Sequence, residues 1–95
     1  PPMADEPVRI RIWLTDPLYL LRTGEIPAVM AEIILGRAIF EQPDGTKAAL
    51  PYEGTIWHRT RWAAVNYARS IRHQHLEALR AEVARIEAFD FGARP

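Results

Sequence analysis

The chain has 95 residues, and its 12 Lys and Arg balance its 12 Asp and Glu. That length fits one domain, and the even charge provides no global field to draw in nucleic acid or a membrane surface. Its 48% hydrophobic content is too high for a disordered chain, and the absence of cysteine excludes disulfide scaffolds and thiolate metal sites.

Residues 1–7, PPMADEP, are acidic and bounded by proline, and read as a disordered N-terminal segment. They carry neither the basic region nor the apolar region of a secretory signal. Pro1-Pro2 reads as an addition ahead of a natural start at Met3. No apolar run reaches the roughly 18 residues a membrane span needs.

Val8–Leu14, VRIRIWL, alternates apolar and basic residues through Ile12. Period two with β-branched residues predicts a strand with Val8, Ile10 and Ile12 on one face and Arg9 and Arg11 on the other. Thr15-Asp16-Pro17 predicts a helix start, with Asp16 as cap and Pro17 in the first turn. That helix is short, Leu18 to Arg22, and Thr23-Gly24 stops it.

In Ile26–Leu35, Val29, Met30, Ile33 and Ile34 fall at helical spacing with Glu32 opposite, which predicts a helix closed by Gly36. Arg37–Gln42 and Thr46–Leu50 then predict a hairpin about Pro43-Asp44-Gly45, where proline presets φ and glycine accepts φ > 0. Pro51-Tyr52-Glu53-Gly54 breaks the chain.

From Thr55 to Phe89 there is neither Pro nor Gly, and the pattern is helical throughout. Unbroken, that helix would be about 50 Å long. A globule of this length is about 25 Å across, so the helix is expected to protrude, or to break near His73-Gln74-His75. Its first half presents Trp57, Ala64, Tyr67, Ala68 and Ile71 as a face to pack on Val29, Ile33 and the hairpin. In its second half Leu76, Leu79, Val83 and Ile86 recur at spacings of 3, 4 and 3. That is a coiled-coil seam sustained for under two heptads. Glu77–Arg80 and Glu82–Arg85 are solvent-side pairs. The seam either folds back on its own domain or forms a subunit contact. Residues 90–95 read as a flexible tail, in which Phe91, with Phe89, makes a docking peptide.

The chemistry-bearing residues are sparse. Between Glu53 and Glu77 there is no acidic residue, and the window holds Arg59, Arg61, Arg69 and Arg72 with Trp57, Trp62 and Tyr67. Arginine beside aromatics suits contact with phosphate or an acidic protein; the alternative is a solvated face whose acids lie nearby in space. His73 and His75 point in nearly opposite directions on a helix, and His73 with Glu77 would make only a two-ligand metal site. Ser70, the lone serine, has no nucleophile elbow, and Gly36, Gly45 and Gly54 sit at structural breaks rather than in a phosphate loop. Trp13, Trp57 and Trp62 read as core or interface anchors. The residues therefore predict no enzyme, no cofactor and no metal.

The order helix, glycine stop, basic residue, short hairpin, linker, second helix resembles the gpW-like head–tail joining proteins of tailed bacteriophages. "AEIILGRAIFEQPDGTKAALPYEG" and "TIWHRTRWAAVNYARSI" carry the resemblance over roughly Ile26 to His75, through Gly36-Arg37 and the Asp44-Gly45 turn. It implies an α+β subunit in which two helices flank a small antiparallel hairpin. The strand Val8–Leu14 and the length of the second helix are additions to that pattern. It further implies a ring in the virion neck, assembled in the host cytoplasm, that joins a portal to the next connector or tail protein. DNA would touch it only in passing through the channel. The C-terminal arm with Phe89 and Phe91 would dock on the portal. Two further readings stay open from the residues: a small nucleic-acid-binding module using Arg59, Arg61, Arg69 and Arg72, and an accessory or inhibitor subunit of a larger enzyme. In every case one domain, residues 8–89, is expected.

Overall fold

The computed structural model describes residues 8–92; the segment 1–7 and the last three residues of the tail lie outside the described residues. The fold is α+β, with five strands in one antiparallel sheet and two helices. In chain order these are β1 (Val8–Leu14), α1 (Pro17–Thr23), β2 (Ala28–Ile34), β3 (Arg37–Glu41), β4 (Lys47–Tyr52), β5 (Trp57–His58) and α2 (Arg61–Glu87). The sheet order is β4-β3-β2-β1-β5: a meander whose last strand returns to pair with β1.

β1 lies where its alternation places it. Ile12 is fully buried, Ile10 packs beside it, and Val8 at the strand start is exposed. Arg9 stands opposite Glu32 on the outer face, with Arg9 Nε and Glu32 Oε1 3.8 Å apart. α1 follows as expected. Asp16 takes the extended backbone of a cap, but its side chain makes no capping bond; its carbonyl accepts from the Leu20 N–H. Gly24, at φ +72°, closes the helix by donating to the Leu20 carbonyl.

The segment Ile26–Leu35 corrects the helical expectation. Ala28–Ile34 is a strand between β1 and β3. Val29, Ala31 and Ile33 face the core, while Met30 and Glu32 share the outer face with Arg9 and Arg11. A seven-residue run with one charged residue, Glu32, fits either period, and partners on both edges decide it, because they satisfy the strand's backbone groups. Gly36 is therefore not a helix stop. Leu35 (φ +52°) and Gly36 (φ +80°) form a two-residue turn joining Ile34 to Arg37. Positive φ at both positions is the primed geometry that matches strand twist.

The β3–β4 hairpin turns at the expected residues. The Gln42 N–H donates to the Thr46 carbonyl at 2.7 Å, and Asp44 Oδ1 accepts from the Thr46 N–H and hydroxyl. β4 does not stop at Leu50 but runs through Pro51 to Tyr52, with a register shift between Arg37 and Ile39 of β3. A proline fits here because β4 is an edge strand with an irregular ladder.

The long helix starts later than the absence of Pro and Gly suggests. Thr55–Thr60 is a turn containing β5; Thr60 caps α2 by accepting from the Ala63 N–H at 3.1 Å. Trp57 is therefore not on a helix face. It is a strand residue, fully buried with Ile12, Ala31 and Ala38, and its indole N–H donates to the Pro51 carbonyl at 2.6 Å. From Arg61 the helix is unbroken for 27 residues, through His73-Gln74-His75, or about 40 Å. Its first half packs chiefly on α1, β1 and β5 rather than on the hairpin. The second half protrudes, and the molecule measures 86 × 28 × 20 Å.

Candidate protein-association surface

From Arg72 to Gly92 every residue is exposed. On that stretch Leu76, Leu79, Val83 and Ile86 lie in one row, each 40–54% exposed. Among the described residues no element covers them. The two flanking pairs form as the spacing implies: Arg80 to Glu77 at 2.6 Å and Arg85 to Glu82 at 2.5 Å. The Glu82 carboxyl is held below, and the Arg85 guanidinium above, its ordinary pKa by their mutual hydrogen bonds. Both pairs are exposed and add little stability. Past the cap at Ala88, Phe89 and Phe91 meet edge to face at 5.7 Å, and the Arg85 guanidinium lies 5.3 Å over the Phe89 ring.

The four arginines of the acid-free window separate into two groups. Arg59 is not on the helix. Its N–H and Nε bind the two oxygens of Glu53 at 2.7 and 2.9 Å, and its guanidinium lies 5.9 Å over Trp57. It therefore ties the β4–β5 corner together and is occupied by its own domain. Arg61, Arg69 and Arg72 lie within one sector of α2, by the 100° per residue of a helix. They have no ion pair among the described residues. Trp62 beside them is 77% exposed, while Trp13 is half-buried; only Trp57 of the three anchors the core.

Sequence reasoning missed the other half of this surface. Leu20 and Leu21 of α1, with Gly24 and Ile26, face Val65, Ala68, Arg69 and Arg72 across a groove of about 380 Å³. Val65, Arg69 and Arg72 extend the seam row toward the N-terminus at spacings of 4, 3 and 4 to Leu76, and Trp62 adds a further 3. The row thus runs from Trp62 to Ile86 on a single face. The signal was present as heptad spacing, but two of its positions are arginine, and a search for apolar residues alone stops at Leu76.

Beneath the first half of α2 sits a buried polar pair. His58 is 4% exposed, Thr15 is fully buried, and His58 Nε2 is 3.0 Å from Thr15 Oγ1. The Thr15 hydroxyl donates to the Thr55 carbonyl at 2.6 Å. Its one proton is spent there, so it accepts from His58, which fixes the Nε2–H tautomer. Burial pushes the His58 pKa below the ordinary histidine value, against a smaller upward pull from Glu53. The Tyr67 ring of α2, 5.2 Å away, completes the seat. This pair joins β1, β5 and α2. Among the described residues no three of His, Asp and Glu converge on one point that would hold a metal ion, and no helix is long and apolar enough to cross a membrane.

Comparison of the chain with family models, with curated proteins and with solved structures finds no match.

Proposed function

We propose that the protein is a non-enzymatic assembly subunit that works by burying the protruding half of α2 against another chain. The observation that carries this reading is the row Leu76, Leu79, Val83 and Ile86 on a helix that its own domain leaves uncovered. A row of apolar residues at heptad spacing gains stability when a second surface removes it from water. The five-stranded domain supplies the fixed end of the helix, and the helix supplies the contact.

The narrower form of this proposal is a ring-forming head–tail connector of a tailed phage, joining a portal to the next neck or tail protein, with Phe89 and Phe91 toward the portal. The hairpin turning at Asp44-Gly45 and the helix after it support that form. The strand at Ala28–Ile34 removes the helix that opens the resembling pattern, and with it the antiparallel helix pair. The broader assembly reading does not depend on that helix. The free Arg61, Arg69 and Arg72 favour a second reading, contact with nucleic-acid phosphates.

The test is the mass of the purified chain by light scattering across a hundredfold concentration range, with a parallel titration of duplex DNA at low and moderate salt. A mass above one chain that grows with concentration supports assembly. A monomer throughout that binds DNA with a steep salt dependence moves the function to the basic face.

A further inference from the structure

The row from Trp62 to Ile86 is apolar at its C-terminal end and basic at its middle, and it opens at its N-terminal end into the groove beside α1. A surface of that kind specifies its partner. An occupant must supply apolar knobs for Leu76 and Leu79, carboxylates for Arg69 and Arg72, and a bulky apolar group for the groove. The C-terminal end of α2 and the residues just past its cap carry all three: Val83 and Ile86, Glu87 together with Glu82 (which also holds Arg85), and Phe89. Glu87 has no ion pair among the described residues. We infer that a second copy of this chain packs its α2 antiparallel on the first, with the end of each helix seated in the α1–α2 groove of the other. This rests on the assembly reading and specifies its geometry.

Charge decides the orientation. In a parallel pair Arg69 would meet Arg69 and Arg72 would meet Arg72 within the seam, and Glu82 would flank Glu87 of the other copy. Each of these contacts is repulsive. Charge also decides among the antiparallel registers. With the two-fold axis at Ala81, Arg80 meets Arg80, Glu82 meets Glu82, and the groove stays empty. With the axis at Gln74, Arg69 faces Leu79 and Arg72 faces Leu76, so both arginines are set against leucine with neither Glu82 nor Glu87 beside them.

With the axis between Glu77 and Ala78 no like charges meet. Leu76 faces Leu79 of the second copy, and Arg72 faces Val83 with Glu82 on the same flank. Arg69 faces Ile86 with Glu87 beside it. Phe89 of the second copy comes to Ala68, whose small side chain leaves the groove open between Leu20, Leu21 and Val65. A two-fold pair makes every one of these contacts twice and closes on itself, so the expected particle is a dimer.

The chain has no cysteine, so single cysteines report the register directly. Leu76→Cys and Leu79→Cys chains are oxidised separately and as an equal mixture, under conditions where the wild type self-associates. The proposed pair gives a disulfide-linked dimer only in the mixture. A parallel pair gives one from each variant alone and overturns the orientation. No disulfide in any of the three samples, with the mass still above one chain, overturns the register but leaves self-association intact.

The charge contact has its own test. Arg69→Glu and Glu87→Arg each weaken self-association by about tenfold or more, and the double variant restores it. The two positions lie 18 residues apart on one helix, about 27 Å, so restoration does not come from a contact within one helix. A double variant as weak as the singles overturns the Arg69–Glu87 contact. A wild type that stays monomeric overturns the assembly reading itself, and a discrete ring mass overturns the two-fold pair alone.

Discussion

His58 donates to Thr15 across the seam between β5 and the end of β1, and this one bond ties together strands 43 residues apart in sequence. Burial disfavours the charged form of the imidazole in the folded protein and holds its pKa below the ordinary histidine value. In the unfolded chain it takes up a proton more readily, near the ordinary pKa of about 6.5. The unfolded state therefore binds more protons as the pH falls, and stability declines below about pH 6.5 while staying flat for this group above it. Urea denaturation at pH 7.5, 6.5, 5.5 and 5.0 checks this. His58→Gln, which keeps a donor, flattens the decline.

Thr15→Val keeps the shape of the side chain and removes its oxygen. The His58 N–H is then buried without an acceptor, and the Thr55 carbonyl loses its donor. A loss of about 1–3 kcal/mol is expected, read as a lower denaturation midpoint at unchanged slope. A change under about 0.5 kcal/mol would mean that water replaces the hydroxyl.

Leu35 stands in the left-handed region at φ +52° and is 89% exposed at the tip of the β2–β3 turn. A non-glycine residue there costs about 1–2 kcal/mol, and asparagine tolerates the conformation far better. Leu35→Asn creates an Asn-Gly turn and is expected to raise stability by about 1 kcal/mol, measured as a higher melting temperature. The reciprocal change, Gly36→Ala, lowers it: φ is +80°, and the added Cβ would lie 2.8 Å from the Tyr52 ring.

Trp57 fills the core and holds the Pro51 carbonyl. Trp57→Phe keeps most of the apolar volume but leaves that carbonyl unpaired, so a loss of about 2 kcal/mol is expected. Trp57→Ala adds a cavity and costs about 3–5 kcal/mol, enough to unfold a domain of this size. Near-ultraviolet circular dichroism and the denaturation midpoint separate the two.

Leu79→Asp places a charge in the middle of the seam without touching the sheet. Self-association is expected to fall by at least about a hundredfold in sedimentation, since a charge there must be desolvated or excluded. The melting transition of the sheet stays in place. A variant that assembles like the wild type would remove the seam from the mechanism.

Where a segment carried two independent signals, the sequence was read correctly. β1 combines strict alternation with β-branched residues, and the β3–β4 hairpin combines two apolar runs with Pro-Asp-Gly. The run before Gly36 carried one ambiguous signal. Val29, Met30, Ile33 and Ile34 suit a helix, but Val29, Ala31 and Ile33 suit a strand equally well, and Ala31 is too small to weigh in a hydrophobic count although it is 2% exposed. Pairing with Val8–Trp13 on one side and Arg37–Ile39 on the other decides the case, and no local pattern records those partners. Trp57 departs from the helical expectation for a related reason: the absence of proline and glycine says a helix is permitted, whereas Thr60 determines where it begins. Of the association surface, the seam was legible as spacing. The groove was not, because half of its wall belongs to α1.

The unsupported stretch from Arg72 to Glu87 is 16 residues long, near the limit at which a helix holds its shape in water. It does not have to nucleate, because the first half of α2 is already wound against the sheet, but it frays freely from its far end. Its winding is therefore linked to its company. In dilute solution the backbone amides beyond Arg72 should exchange with solvent quickly, and as chains meet they should become protected in order from the domain outward. On the proposed pairing, ordering that stretch draws on the free energy of contact, which keeps the association reversible. In that pairing, concentration then sets how long and how stiff the molecule is: the 16 residues from Arg72 to Glu87 are a fraying arm when alone and a strut when joined.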